Sequence, residues 1–235
     1  MASENSKQRR SQKEANIIDA AEKVFSAVGY SNTKMEEIAK EAGVSKGTVY
    51  FYFDTKENLY MAVTYRALQL LNDSLYRTRD SRKTEPGLES VLALAETYLD
   101  FCARHFFYSE VILDYMTLNR STQLGKDRAR MTDAIKESMY YRMVQDIQNL
   151  PVNLITGEIA RGVEDGSILN RNKPELLYLV AWGAVVGFVK LNVAAGSFRT
   201  TLHHVNVQEW RDYLIEVLRS DLLKNHVLKN QDSGI

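Results

Sequence analysis

Residues 44–59 read Val44-Ser45-Lys46-Gly47-Thr48-Val49-Tyr50-Phe51-Tyr52-Phe53, followed by Asp54-Thr55-Lys56-Glu57-Asn58-Leu59. Ser45, Lys46, Gly47 and Thr48 stand where a short helix is expected to begin, and the unpaired N–H groups and dipole of a helix start favour an anionic partner. Gly47 allows a close backbone approach. Lys46 can reach a guanine edge or a phosphate, and the Thr48 hydroxyl can bond a base or phosphate while its methyl touches thymine. Tyr50 and Tyr52 carry polar tips suited to phosphate oxygens, and Lys56 at the next helix start can hold the opposite side of a groove. Phe51 offers no hydrogen bond and can only pack against a sugar or a thymine methyl. Core packing is the alternative for each aromatic and the stronger reading for Val49 and Phe53. Four consecutive aromatics cannot all face one core, because side chains turn by about 100° per residue around a helix.

These side chains need a frame, and the hydrophobic spacing supplies one. Ile17, Ala21, Val24, Phe25 and Val28 predict a first helix over about 13–28, closed by Gly29 in a left-handed conformation. Thr33 with Glu36 reads as a capping box opening a second helix through Ile38, Ala39 and Ala42 to Gly43. A steep turn there needs a positive φ, which Gly43 adopts without a steric penalty. Ser45 caps the third helix, and Asp54 with Glu57 starts a long fourth one along Leu59, Ala62, Val63, Ala67, Leu70, Leu71 and Leu75. Two short helices joined through Gly43 and Val44, buried against a preceding helix, make a unit of the helix-turn-helix kind.

In order and spacing, Ile17 to Phe25, Gly29-Tyr30, Thr33, Ile38 to Ser45 and the segment from Val44 to Leu59 closely resemble the TetR family of transcriptional regulators over about residues 13–63. The resemblance implies that Thr33, Tyr50 and Lys56 clamp phosphates, whereas Lys46, Gly47, Thr48 and Tyr52 face bases. It also implies a bacterial repressor released from a palindromic, inverted-repeat operator in double-stranded DNA by a small-molecule effector. Past about residue 80 only a similar arrangement of helices remains.

Composition bounds the rest. The 235 residues are 45% hydrophobic with only three prolines and twelve glycines, which predicts an all-α protein; the resemblance implies that it is an N-terminal three-helix DNA-binding domain joined by a long helix to a helical ligand-binding and dimerisation domain. The formal net charge of +0 removes any general excess of cations, so charge for a polyanion has to be local. Lys7, Arg9, Arg10 and Lys13 form such a run and are expected in a flexible arm over 1–12, ahead of a DNA-binding domain over 13–60, an effector and dimer domain over 61–225 and a flexible tail over 226–235. The single cysteine, Cys102, fits a reducing compartment, and the polar N-terminus resembles no export signal, so cytoplasm is expected. There is no nucleophile elbow, phosphate loop, dinucleotide fingerprint or zinc-hydrolase helix, and no enzyme or cofactor is expected.

After the break at Pro86-Gly87, helices are predicted over about 88–104, 106–118, 124–148, 152–165, 174–195 and 207–224. Aromatic residues crowd this body. Tyr98, Phe101, Phe107, Tyr115, Met139, Tyr140, Tyr178 and Trp182 are candidates for an adaptable apolar effector pocket, with a filled aromatic core as the alternative. A homodimer is expected because one reader helix contacts few base pairs, and half-sites lie about 34 Å apart. Its interface is placed on the apolar helix 174–195, where Gly183 and Gly187 permit close approach, and on Trp210, Leu214, Val217 and Leu218. Burial of one such helix within the subunit is the alternative. The apolar stretch 176–189 is shorter than a membrane span and reads as a buried helix. Cys102 and His105 share a helix face, but two ligands without clustered partners do not define a metal site. A helical adaptor without DNA binding is the competing function.

Overall fold

A computed structural model of the chain describes residues 2–123, 133–194, 201–202 and 204–225. Eleven helices make up almost all of the described residues: α1 (Ala2–Val28), α2 (Met35–Glu41), α3 (Lys46–Tyr52), α4 (Lys56–Ser81), α5 (Gly87–Arg104), α6 (Phe106–Gln123), α7 (Asp133–Glu137), α8 (Met139–Ile147), α9 (Leu150–Glu164), α10 (Pro174–Ala194) and α11 (Val207–Leu222). A two-residue antiparallel pair, β1 (Thr201–Leu202) and β2 (Val205–Asn206), precedes α11, with Leu202 opposite Val205.

The chain divides into two compact units, residues 1–70 with 107–148 and residues 71–106 with 149–235. This differs from a single cut after residue 60. Helices α6 to α8 belong with the N-terminal helices because their apolar side chains complete that core: Val111 is buried in it, and Phe107, Tyr108 and Tyr140 pack against it.

In the first unit Ile17, Ala21 and Phe25 of α1 meet Ile38 of α2, Val49 of α3, Phe53, and Leu59 of α4, all but fully buried. The rings of Phe25, Tyr30 and Tyr60 enclose one another at centroid distances of 4.8–5.8 Å. Helix α1 starts at Ala2, so residues 2–12 are not a separate arm. Nothing between Ser3 and Lys13 interrupts a helix, and Glu, Lys, Gln and Arg are all good helix formers. Polar bonds tie α1 to its neighbours. Arg66 of α4 binds Glu22 at 2.9 Å and also Asp19, and the Tyr140 hydroxyl donates to Glu14 at 2.6 Å.

The expected helix over 124–148 is broken at Ser138, whose extended backbone (φ −60°, ψ 129°) and side chain, accepting from the Tyr141 N–H, make it the N-cap of α8. Residues 124–132 of that expectation lie outside the described residues, as do Met131, His203 and the 226–235 tail.

In the second unit α5 and α9 pack backbone to backbone where Gly87 meets Gly162: a Cβ added at Gly87 would lie 2.3 Å from the Gly162 nitrogen. The Pro86-Gly87 break is therefore the start of α5. Its first two N–H groups are held by residues far along the chain, Gly87 donating to the Asp165 carboxylate at 2.8 Å and Leu88 to the Ser167 hydroxyl at 3.0 Å. Arg219 grips Glu89 with two bonds of 2.7 and 3.3 Å, and Arg211 binds Asp100 at 2.6 Å, fixing α11 on α5.

Helix α10 departs from expectation. It is long and apolar enough to cross a membrane by length and composition, yet only 28% of that stretch is buried within the chain. Leu179 and Val180 are each 56% exposed, so it is not the buried helix its composition suggested.

Candidate nucleic-acid interface

The α2–α3 turn is closed from within. Gly43 takes φ +65°, and the Val44 N–H returns to the Ala39 carbonyl at 3.0 Å, which turns the chain sharply out of α2. Ser45 caps α3 through the Thr48 N–H at 3.1 Å, while its hydroxyl lies 2.8 Å from that of Thr48. Val49 and Phe53 anchor the helix in the core, as expected from their spacing, and the rest of α3 is turned outward. Lys46, Gly47, Tyr50 and Phe51 are exposed, and Thr48 and Tyr52 are half-buried.

Lys46 is paired with Glu36 of α2, and that bond lowers the Glu36 carboxyl below, and raises the Lys46 ammonium above, its ordinary pKa. The pair lies in full solvent, where such a bond contributes little and is open to exchange with a stronger anion. The ammonium also lies 5.7 Å from the Tyr50 ring centre. At Gly47 a Cβ would meet nothing nearer than the Ser45 hydroxyl at 3.9 Å. No packing inside the protein calls for glycine there.

Two of the expected phosphate clamps have internal work. Thr33 is buried, and its hydroxyl donates to the Gly29 carbonyl at 2.8 Å. It does not cap α2. Lys34 is the N-cap residue, and the Glu37 carboxylate accepts its N–H at 2.9 Å, one position later than Thr33 and Glu36 suggested. Lys56 donates to the carbonyls of Tyr30 at 2.8 Å and Thr33 at 3.0 Å and lies 4.5 Å from the Tyr30 ring centre, so it pins the α1–α2 turn to the start of α4. Thr55, not Asp54, caps α4 by accepting the Asn58 N–H at 3.1 Å.

Beside α3, Arg9, Arg10, Gln12, Lys13 and Asn16 of α1 and Tyr52 line a groove of about 790 Å³. The cations were visible in the sequence as a charge run. Their common face was not, because they were read as an arm, although Arg9, Lys13 and Asn16 are spaced as one side of a helix.

The candidate effector residues divide between the units. In the first, Phe107 packs on the three-helix core, and Tyr140 stacks on Phe53 at 6.0 Å while holding Glu14. Met139 is 62% exposed at the first position of α8, where an enclosed pocket cannot use it. Tyr115 is buried with a hydroxyl that has no partner among the described residues, and burial pushes its pKa up.

In the second unit Phe101 is core, and Tyr178 stacks on Trp182 at 6.4 Å, its hydroxyl pushed by burial up to about 12. Tyr98 is raised further by burial, beside the Cys102 thiol and a bond from the Trp182 indole. Trp182 thus joins Tyr98 and Tyr178, whereas Phe101 packs on His105.

The expected dimer residues also sort. Leu214 and Leu218 belong to the subunit's own core, because α11 turns that stripe inward, and Trp210 packs on Phe188 at 4.4 Å. Gly183 and Val217 are exposed and Gly187 is half-exposed. The outward apolar face that composition alone did not separate is that of Leu176, Leu179 and Val180 on α10 and Tyr213 on α11. Among the described residues no group of three or more His, Cys, Asp or Glu is placed to hold a metal.

A glycine turn between two short helices, the second capped and exposed on a buried three-helix core, defines a helix-turn-helix protein. Residues 17–63 match the model of the bacterial regulatory proteins of the tetR family. The chain is 46% identical over 52 residues to the HTH-type transcriptional regulator YuxN of Bacillus subtilis, covering 22% of this chain and 18% of that one. It is 32% identical over 76 residues to the HTH-type negative transcriptional regulator IcaR of Staphylococcus epidermidis, covering 32% and 41%. The chain thus spans less than half the length of these two relatives. Among solved structures it is similar to the transcriptional regulator FadR of Bacillus subtilis in complex with stearoyl-CoA, with a TM-score of 0.61 over 88% of this chain and 98% of that one. At 20% identity that likeness is one of fold.

Proposed function

We propose that the protein is a sequence-specific DNA-binding transcriptional regulator of the bacterial cytoplasm, a homodimeric repressor that a small, largely apolar effector releases from an inverted-repeat operator. The observation that carries the reading is Gly47. It stands on the exposed side of a rigidly anchored helix, flanked by Lys46 and Thr48, with no internal reason to lack a side chain. A surface that must meet another backbone or a base edge closely is a reason for it. Lys46 and Thr48 then face bases, Tyr50 and Tyr52 reach phosphates or base edges, and Phe51 packs on a sugar or methyl. Thr33 and Lys56 act at the backbone by holding the α1–α2 turn in place.

The dimer is supported by the uncovered apolar face of α10, which a second copy would bury against its own α10 and against Val217 of α11. IcaR's description as a negative regulator supports repression, and FadR's complex with stearoyl-CoA supports an acyl-type effector. The unpartnered Tyr115 hydroxyl offers such a ligand a donor. An effector that binds one arrangement of the two subunits better shifts the population and moves the reader helices off the half-site spacing.

Selection of binding sites from random duplexes by the whole protein tests the reading. An inverted repeat is expected, and Thr48→Ala should select a different repeat while Tyr50→Ala weakens binding to all of them. No enrichment by the native protein would defeat it.

A further inference from the structure

We propose that the first turns of α1 are a second DNA-contacting element, seated on the phosphate backbone beside the groove that α3 reads. The inference rests on the DNA-binding reading and adds to it the partner of a surface outside the helix-turn-helix. The groove between α1 and α3 has Arg9, Arg10, Gln12, Lys13 and Asn16 along one wall and Tyr52 on the other. Its cations have no counter-charge: among the described side chains no carboxylate lies within ion-pair distance of Lys7, Arg9, Arg10 or Lys13. Lys23, Lys46 and Arg66 in the same unit are all paired. Arg9 and Lys13 stand one helical turn apart, where like charges repel. In a chain of net charge +0 this is a local concentration of positive charge that the fold itself does not neutralise.

The geometry favours a continuous polyanion. From Arg9 to Asn16 the wall extends about 10 Å along α1, the axial length of about three nucleotides of one duplex strand. Arg10 is held toward α3, its guanidinium 5.6 Å from the ring centre of Phe51, which is 67% exposed. Phe51 thereby gains a role that its lack of a hydrogen bond denied it: it carries an arginine along the edge of the reader helix. Tyr52 and Gln12 add donors across the groove. A phosphate backbone has the charge, the repeat and the continuity with α3 that this wall matches.

The test uses the full-length protein with Arg9, Arg10 and Lys13 all changed to Gln, a good helix former, with the Arg9→Lys, Arg10→Lys and Lys13→Arg variant as the charge-preserving control. Binding to the selected duplex and to an unrelated duplex is measured between about 50 and 200 mM salt, and each variant repeats the site selection. The Gln variant should lose about tenfold or more in affinity for both duplexes. Its dependence of log K on log salt should be shallower by about 0.9 for each lost phosphate contact, the selected sequence should not change, and the control should behave as the native protein does. Affinity and salt slope equal to the native values would overturn the proposal, as would a changed site preference without a change in slope. If the native protein selects no sequence yet the Gln variant still loses salt-dependent binding, the reading of α3 fails and the backbone contact of α1 stands.

Discussion

In the α2–α3 turn, every helix end is closed by a residue a few positions away: Ser45 by Thr48, Lys34 by Glu37, Val44 by Ala39. In the second unit α11 is capped locally by Asn206, but the start of α5 is closed from afar. Asp165 and Ser167 reach across some eighty residues to hold the start of α5, and the apolar face of α10 has no cover among the described residues. A locally closed unit holds its shape whatever the rest of the chain does, which suits a surface that must present fixed donors to a rigid partner. A region closed by distant contacts, with an uncovered apolar face, is one whose final packing depends on what else binds it.

The largest effect that separates the two is in stability. Phe25→Ala removes a ring that is 1% exposed, tilted against Tyr30 and edge-on to Tyr60, and should cost about 3–5 kcal/mol in denaturant unfolding. Leu179→Ala removes a side chain that is 56% exposed and should change the unfolding of the isolated subunit by less than about 0.5 kcal/mol while weakening dimerisation in sedimentation. Equal losses of stability at the two sites, with the oligomer unchanged, would erase the distinction.

A smaller effect tests the distant closure itself. Glycine at the first turn of a helix ordinarily gains stability on replacement by alanine. Gly87→Ala should do the reverse and cost about 1–3 kcal/mol, because its Cβ would press on the backbone of Gly162, which has no rotamer to move aside. A raised melting temperature would show that α5 and α9 are free to separate.

What the sequence made legible follows the same division. Gly29 and Gly43 are expected at positive φ and have φ of +79° and +65°. Ser45 was read as a cap and is one. The capping box and the α4 cap each sit one residue later than expected, because the Thr33 hydroxyl is turned back to the Gly29 carbonyl and Thr55 is as good a cap in type as Asp54. Type was informative there, but the backbone position was not. The break at Pro86-Gly87 falls where expected, at the start of α5, whereas the inward turn of Leu214 and Leu218 and the division of seven aromatics and Met139 between the two units were not legible. Both depend on which distant element lies opposite, and periodicity fixes a face without naming its partner. The double use of Lys56, which spends its donors on Tyr30 and Thr33, has no sequence signature at all.

The finest distinction is electrostatic and reads in opposite directions in the two units. Burial is the main influence on Glu22, raising its carboxyl above the ordinary value of 4.5 against the bonds from Tyr108 and Arg66 that lower it. On Glu89 the bond from Arg219 is the main influence, and it lowers the carboxyl. A folded-state pKa above the unfolded one means that the folded protein holds the proton more tightly. The contribution of Glu22 to stability is therefore fully present below about 4.5 and is lost as pH rises through its folded value. That of Glu89 is present above 4.5 and is lost as pH falls through its lower folded value. Unfolding free energies of Glu22→Gln and Glu89→Gln, each subtracted from the native protein's across this range, should give differences of opposite slope, with the larger change at Glu22 because Glu89 is more exposed and more screened. Slopes of the same sign would mean that Arg66 outweighs burial at Glu22, and that α1 is held to α4 by the same kind of solvent-facing ion pair that holds α11 to α5.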